Sequence, residues 1–424
     1  MSEEIVKGRE LLEAGDVGGL IRHLRFTAEG LPVVEVARLL EGAAGLSGFD
    51  DLREASGAVV REPASPQALY DFGYACIERG VPELGVPALR EALELTGGAP
   101  PVLRELAAAL ERAERHREAV EVLQAHDAAL EPWPDRYLLA LNALLAGGLE
   151  IADRELAALP APPDDGFAWA HGRLRRMVGR ARAAHGAGPM DERDLRGWHF
   201  ALTGGLLGEI SPYGYDEGMV GRYAYTQVSP GSCVRGLLRL RAVLEATGAR
   251  PRSVSLLPER SSHILGLVAA RVLGLPAAPF RPDAAAETVV VAFDLNDADD
   301  DSLRALHDRA PGQVLYEHAT CWTDPPAVSA DMSGLLHQVA VTPWGERMRM
   351  VREGEPETVP ADDRPAETIA QEIAQAGPET GDEVAPGGTD ADLARFAAAV
   401  AGHWLAGPRD RCPYTGPVRS SRFM

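Results

Sequence analysis

A repeat of 34 residues runs from Pro66 to Leu156 and constrains this chain more than any single motif, because it sets an architecture before individual residues can be given roles. Phe72 and Gly73 recur as Leu106 and Ala107, and again as Ala140 and Leu141. Leu69 recurs as Leu103 and Tyr137, and Cys76 as Leu110 and Leu144. In each unit the apolar spacing predicts a helix, a short break (78–81, 112–117 and 147–149) and a second helix. That second helix carries a small residue, Ala92, Ala119 or Ala152, where two helices must approach closely. One such hairpin cannot bury its apolar face alone, so the units are expected to stack into a solenoid.

The large-then-small pair Phe72-Gly73, the small residues Ala92 and Ala119 and the closing Pro132 resemble the tetratricopeptide repeat. The resemblance implies a groove lined mainly by the first helix of each unit, and it carries Tyr70, Tyr74, Arg104, Arg112 and Asn142 onto that lining. Carboxylate-clamping members of the family present Lys and Asn at the fifth and ninth positions of that helix. Here those positions hold Tyr70, Arg104 and Leu138, and Tyr74, Ala108 and Asn142. The implied partner is another protein or peptide, an extended or helical acidic segment such as the chain's own 353–383. Residues 3–60 also read as helices but leave the register, as terminal caps do. The expected helical domain is 1–184, with clear repeats over 66–160.

Composition narrows the partners further. A net charge of −21 argues against nucleic acid or an anionic membrane, both of which require a basic face. Lys7 is the one lysine among 42 basic residues, and the abundance of Arg, Ala, Gly and Pro suggests a GC-rich, bacterial genome. Cys76, Cys233, Cys321 and Cys412 are widely spaced, which indicates neither a disulfide framework nor a zinc site. With an acidic N-terminus and no long apolar run, a cytoplasmic protein is expected.

Beyond Leu156, the prolines at 160, 162 and 163 close the array, and 167–184 reads as one more helix with a solvated basic face (Arg173, Arg175, Arg176, Arg180, Arg182). Residues 185–193 read as a linker. The apolar runs 198–202 and 206–210, split by Thr203-Gly204-Gly205, suggest a hairpin. The following loop, 211–225, holds four of the nine tyrosines; Tyr213 and Tyr215 with their glycines suit either a stacking platform for a planar ligand or simple packing. Strands at 253–257, 288–293 and 313–318 alternate with helices at 233–247, 262–273 and 302–309, which implies β-α-β units and a parallel sheet within an α/β domain at 194–350. The acidic, Pro- and Gly-rich stretch 351–388 reads as a disordered linker, and 389–424 as a short helix and tail.

Ligands of such sheets bind at the carboxyl ends of the strands. In the first loop there, Arg260, Ser261 and Ser262 either hold an anion at the helix N-terminus or cap it. In the second, Asp294 and Asp297 offer carboxylates to a hydroxyl or a metal-bound ligand, whereas Asp299, Asp300 and Asp301 favour the next helix's start. In the third, Glu317 and His318 lie near Cys321, as half a metal site, as a base beside a thiol, or as core residues. The order of strand, anion-type loop, helix ending in Leu273-Gly274-Leu275-Pro276, the strand reaching Asp294, helix and strand resembles the type I phosphoribosyltransferase fold over about 235–320. That resemblance implies ribose-binding acids at Asp294 and a phosphate loop after it. This chain has Leu295 beside Asp294, and four aspartates in 296–301 where the phosphate loop would be.

The expected whole is an all-α, tetratricopeptide-like solenoid followed by an α/β domain with a parallel sheet, an N-terminal hairpin and an acidic flexible tail. Such a chain serves as an intracellular adaptor whose α/β domain binds or senses a small ligand. The alternative is an enzyme that processes a nucleotide or sugar phosphate and is recruited to targets by its repeats. No particular cofactor is indicated.

Overall fold

The computed structural model describes residues 2–284, 286–349, 357–379, 385 and 387–420. They fall into two compact units that divide between His171 and Gly172. The first is entirely helical: α1 (Glu3–Glu13), α2 (Val17–Thr27), α3 (Val33–Ser47), α4 (Asp50–Arg61), α5 (Pro66–Glu78), α6 (Pro82–Leu95), α7 (Pro100–Arg112), α8 (His116–Ala125), α9 (Tyr137–Leu145) and α10 (Leu149–Ala158). Prolines open α5, α6 and α7, at positions whose backbone N–H has no intrahelical partner.

The repeat register is a packing register. Phe72, Leu106 and Ala140 are buried, as are Cys76, Leu110, Leu144 and the second-helix alanines Ala92, Ala119 and Ala152. Gly73 shows why the large residue is followed by a small one: a Cβ there would lie 2.4 Å from Leu89 Cγ in α6. Across the same crossing, a Cβ on Gly85 would lie 2.9 Å from the Gly73 carbonyl oxygen. The two glycines let the helices of this hairpin touch backbone to backbone.

The division between units falls within helix α11 (Asp165–His185), after which the second unit continues through α12 (Leu195–Thr203), β1 (Leu206–Leu207), β2 (Tyr223–Gln227), α13 (Pro230–Thr247) and β3 (Ser253–Leu256). It goes on through α14 (Arg260–Leu273), β4 (Ala277–Pro279), β5 (Thr288–Ala292), α15 (Asp300–His307), β6 (Val314–Cys321) and β7 (Met332–Val341). A small antiparallel ribbon, β8 (Arg347–Arg349) with β9 (Glu357–Val359), precedes α16 (Ala366–Gln375) and α17 (Asp390–Val400). The main sheet runs β1-β7-β6-β5-β3-β4, with β2 also on β7, and every pairing is parallel. Along β5, Val289 and Val291 face one core while Val290 and Ala292 face the other, so the sheet is buried on both sides.

Four expectations are corrected. The stretch 198–210 is not a hairpin: Trp198 to Leu202 belong to α12, which Gly204 ends at φ 84°, and β1 pairs in parallel with β7. The acidic stretch 351–388 is not wholly a linker, because α16 buries Ile369, Ala370 and Ile373 in the main core; residues 350–356 and 380–384 lie outside the described residues. In the last segment the expected short helix forms as α17, and the departure lies in the tail after it, which is held down. Leu393, Phe396 and Val400 of α17 join that core, and Arg409 is 1% exposed. Finally, the basic face of α11 is partly interior: Arg180 is buried and donates to the Ala201 and Leu202 carbonyls, both at 3.0 Å.

Candidate functional site

Because β3, β5 and β6 are parallel neighbours, their following loops leave the sheet at one end. Ser262, 0% exposed, ties two of these loops together by accepting the Phe293 N–H at 3.0 Å, one residue before Asp294. The loops do converge, but their chemistry differs from an anion site. The Glu259 carboxylate accepts the N–H groups of Ser261 at 2.6 Å and Ser262 at 2.7 Å, so the donors that would cradle a phosphate are already engaged. Arg260 is turned to the carbonyls of Asp362 and Arg364, at 2.8 and 3.0 Å, and the Ser261 hydroxyl accepts the Trp344 indole N–H at 3.2 Å.

Carboxylates fill the rest of the edge. The Asp294 Oδ1 accepts the Asn296 N–H at 2.9 Å, while its Oδ2 stands 3.5 Å from His337 Nε2. Burial, then the charges of Asp294 and Glu259, raise the Asp297 carboxyl above its usual range. Glu317 is 0% exposed, accepts the Leu295 N–H at 2.6 Å and meets the Thr320 hydroxyl. Burial, then the Asp294 charge, push its carboxyl up to about 8. The surroundings of Glu317 thus favour its protonated form. Thr320 also lies 2.9 Å from the Ser333 hydroxyl, so Glu317, Thr320 and Ser333 form a chain that can reverse its donor direction with the carboxyl's charge.

His337, 3% exposed, lies 3.0 Å from the Ala319 carbonyl through Nε2. A carbonyl can only accept, which assigns the proton to Nε2 and leaves Nδ1 a bare acceptor; that Nδ1 is buried without a protein partner. His318 belongs elsewhere. Neighbours along a strand point to opposite faces, and His318 packs with Phe293 and Tyr316, its Nδ1 3.0 Å from the Tyr316 hydroxyl. Burial, the largest cause, holds its imidazole down to about 4, so it is a neutral core residue.

The tyrosines do not join this edge. Tyr213, 60% exposed, borders a cavity of about 240 Å³ with Glu209, Tyr223 and Arg235. Tyr215 borders a different groove, beneath the Arg193 guanidinium 5.7 Å from its ring centroid. The sequence reading overlooked Glu259, Thr320, Ser333 and His337. Glu259 sat in full view, one residue before the helix, but the serines are stronger capping residues by type. The other three depend on the pairing of β6 with β7, a strand whose Ser333-Gly334 start and polar His337-Gln338 pair hide its period.

In the helical unit, Asn142 is fully buried and joins helices: it donates to Glu111 at 3.0 Å and lies 2.9 Å from His116 Nδ1. Arg104 is bound to Asp135 and Glu131, each at 2.6 Å, and Arg112 reaches the Ile77 carbonyl at 3.3 Å and Glu78 at 3.8 Å. Tyr70 is half-buried beside Glu105, and Tyr74 is 48% exposed. The expected basic groove is thus largely neutralised from within, and its aromatic part remains. No protein-family model matches this chain, and no curated protein matches it.

Proposed function

We propose that this chain is a two-part binding protein: a tetratricopeptide-type array that holds a protein partner, and a phosphoribosyltransferase-like α/β unit that binds a small ligand without transferring a phosphoribosyl group. The observation that carries this reading is the Glu259 carboxylate seated on the first N–H groups of α14, with Asp294, Asp297 and Glu317 around the same sheet edge. A phosphate there would lose its donors and face carboxylates. An ammonium group or a set of hydroxyls would instead find acceptors, as would a donor directed at His337 Nδ1. In the array, Tyr70 and Tyr74 supply the contact area, because Arg104 and Arg112 already have carboxylate neighbours.

The test is a thermal-shift comparison of amines, polyols and sugar phosphates on the full chain, since a ligand of the native state stabilises by mass action. Amines or polyols should raise the transition in the natural protein and fail to do so in Asp294→Asn. Stabilisation by sugar phosphates alone would return the unit to the transferase reading. A second reading, acid–base catalysis on the bound ligand, is favoured by one observation: Glu317, whose carboxyl is raised by burial and by the Asp294 charge, shares the edge with an Asp294 that stands 3.5 Å from His337. Turnover of the stabilising ligand, abolished by Glu317→Gln with binding retained, would select it.

A further inference from the structure

A second cavity, of about 70 Å³, lies among α12, the ends of β6 and β7 and the C-terminal segment 412–415. Most of its wall is apolar, with Leu202, Trp322, Pro325 and Leu336 prominent. Its polar part includes His199, Thr320, Ser333 and the Arg222 guanidinium, whose Nη1 donates to the Met219 and Arg419 carbonyls at 3.1 and 2.9 Å. His199 Nε2 is buried with no protein partner, and burial, then the Arg222 charge, hold its imidazole at about 4, which keeps the ring neutral. A buried, unpartnered ring nitrogen against an otherwise apolar space calls for an occupant, because such groups are nearly always satisfied in native proteins.

Size and polarity define that occupant. An engineered apolar cavity of about 150 Å³ accommodates benzene, so the molecule here is smaller than benzene. Its body must be apolar to match Leu202, Trp322 and Leu336. A hydroxyl head both donates and accepts, which suits a neutral imidazole on one side and the Ser333 and Thr320 hydroxyls on the other. A cationic head would meet the Arg222 guanidinium, and an anionic one would compete with the Met219 and Arg419 carbonyls that already hold it. We propose that this cavity is a binding site for a neutral, short-chain alcohol-like molecule, held by His199 and the Ser333 hydroxyl. The site adjoins the carboxylate edge through Thr320 and Ser333, which touch both, but it does not depend on which ligand that edge takes.

The C-terminal segment forms one wall, and its hold is firm. The Arg409 guanidinium meets Asp331 Oδ2 at 2.8 Å and the Gln313 side chain at 2.8 Å, and the Ser329 hydroxyl donates to the Asp410 carbonyl at 2.7 Å.

The full-length chain labelled with ¹⁵N-histidine provides the test, with the His199 ring assigned from His199→Gln. Titrated ethanol, which is smaller than benzene, should shift the His199 resonances to saturation, in Asp294→Asn as in the natural protein. Leu336→Trp, which fills the cavity, should abolish that shift; if it does not unfold cooperatively, Thr203→Leu at the cavity rim replaces it. The proposal is overturned by a shift that grows linearly without saturating, as for a cavity holding only water, or by one that survives in the filled variant. Saturation by acetate but not ethanol would overturn the neutral-head assignment.

Discussion

Arg112 and Arg409 each meet a carboxylate, under opposite conditions. Arg112 stands 3.8 Å from Glu78 on the surface of the helical array, with both side chains about half exposed. Arg409, whose side chain is 0% exposed, lies 2.8 Å from an Asp331 that is 2% exposed. The contrast extends across the two units. The array's core is built mainly from Leu, Ala and Val, and ion pairs such as Arg90–Glu118 and Arg79–Asp51 join helices of neighbouring hairpins. The α/β unit buries Arg180, Arg196 and Arg239 and uses them to fasten distant segments, Arg239 to Asp390 among them. One unit gains stability repeat by repeat. The other depends on charges whose partners arrive late in the chain.

The sharpest way to break this comparison is to remove a buried charge. Arg409→Ala removes one of the two guanidinium partners of the buried Asp331, leaving Arg309 alone, and should cost about 3 kcal/mol, seen in denaturant unfolding of the α/β unit with the array's transition unchanged. Burial draws the Asp331 carboxyl upward, but the Arg409 and Arg309 charges outweigh it and hold it below its usual range. Its contribution is therefore present above the unfolded value of about 3.9 and is lost as the pH falls through the folded one. Acid should melt the α/β unit first.

Glu317 has the opposite sign. Its folded value of about 8 lies above the unfolded one, about 4.3, so its contribution is full below that unfolded value and disappears as the pH rises through 8. Glu317→Gln keeps the hydrogen-bonding shape and should flatten the stability of the α/β unit between those limits. A slope identical to the natural protein's would place the proton elsewhere.

Within the array the expected effects are smaller and steric. Gly73→Leu pushes a side chain into Leu89 at the tightest helix crossing and should cost about 1–3 kcal/mol, with the loss confined to the array's transition. Arg112→Ala should change stability by no more than about 1 kcal/mol. A larger loss would mean that surface pairs carry the array after all.

The same contrast explains what was legible in the sequence. The 34-residue register maps directly onto buried positions such as Phe72, Leu106 and Ala140, because every contact it encodes is local and repeated. The order of strands and helices through β3, α14, β5, α15 and β6 was readable for the same reason, as was the convergence of their loops. What escaped was non-local. Strand β7 lies at the centre of one half of the sheet, yet its polar residues disguise it; Asp331 just before it and Ser333 within it have meaning only beside Arg409 and Thr320. The acidic composition of 351–388 likewise concealed Ile369 and Ile373, two apolar residues at helical spacing that suffice to dock α16. Asn142 was assigned to a groove by position in the repeat, whereas its burial follows from His116 and Glu111 on the neighbouring helices.

The central claim is that carboxylates crowd the sheet edge closely enough to keep one of them protonated. Carbon-13 NMR of the Glu317 carboxyl, followed through a pH titration of the natural protein and of Asp294→Asn, measures this without a ligand. The account predicts a midpoint near 8 in the natural protein and a lower one once the Asp294 charge is removed. A midpoint in the ordinary carboxylate range, about 4, and the same in both proteins, would contradict it.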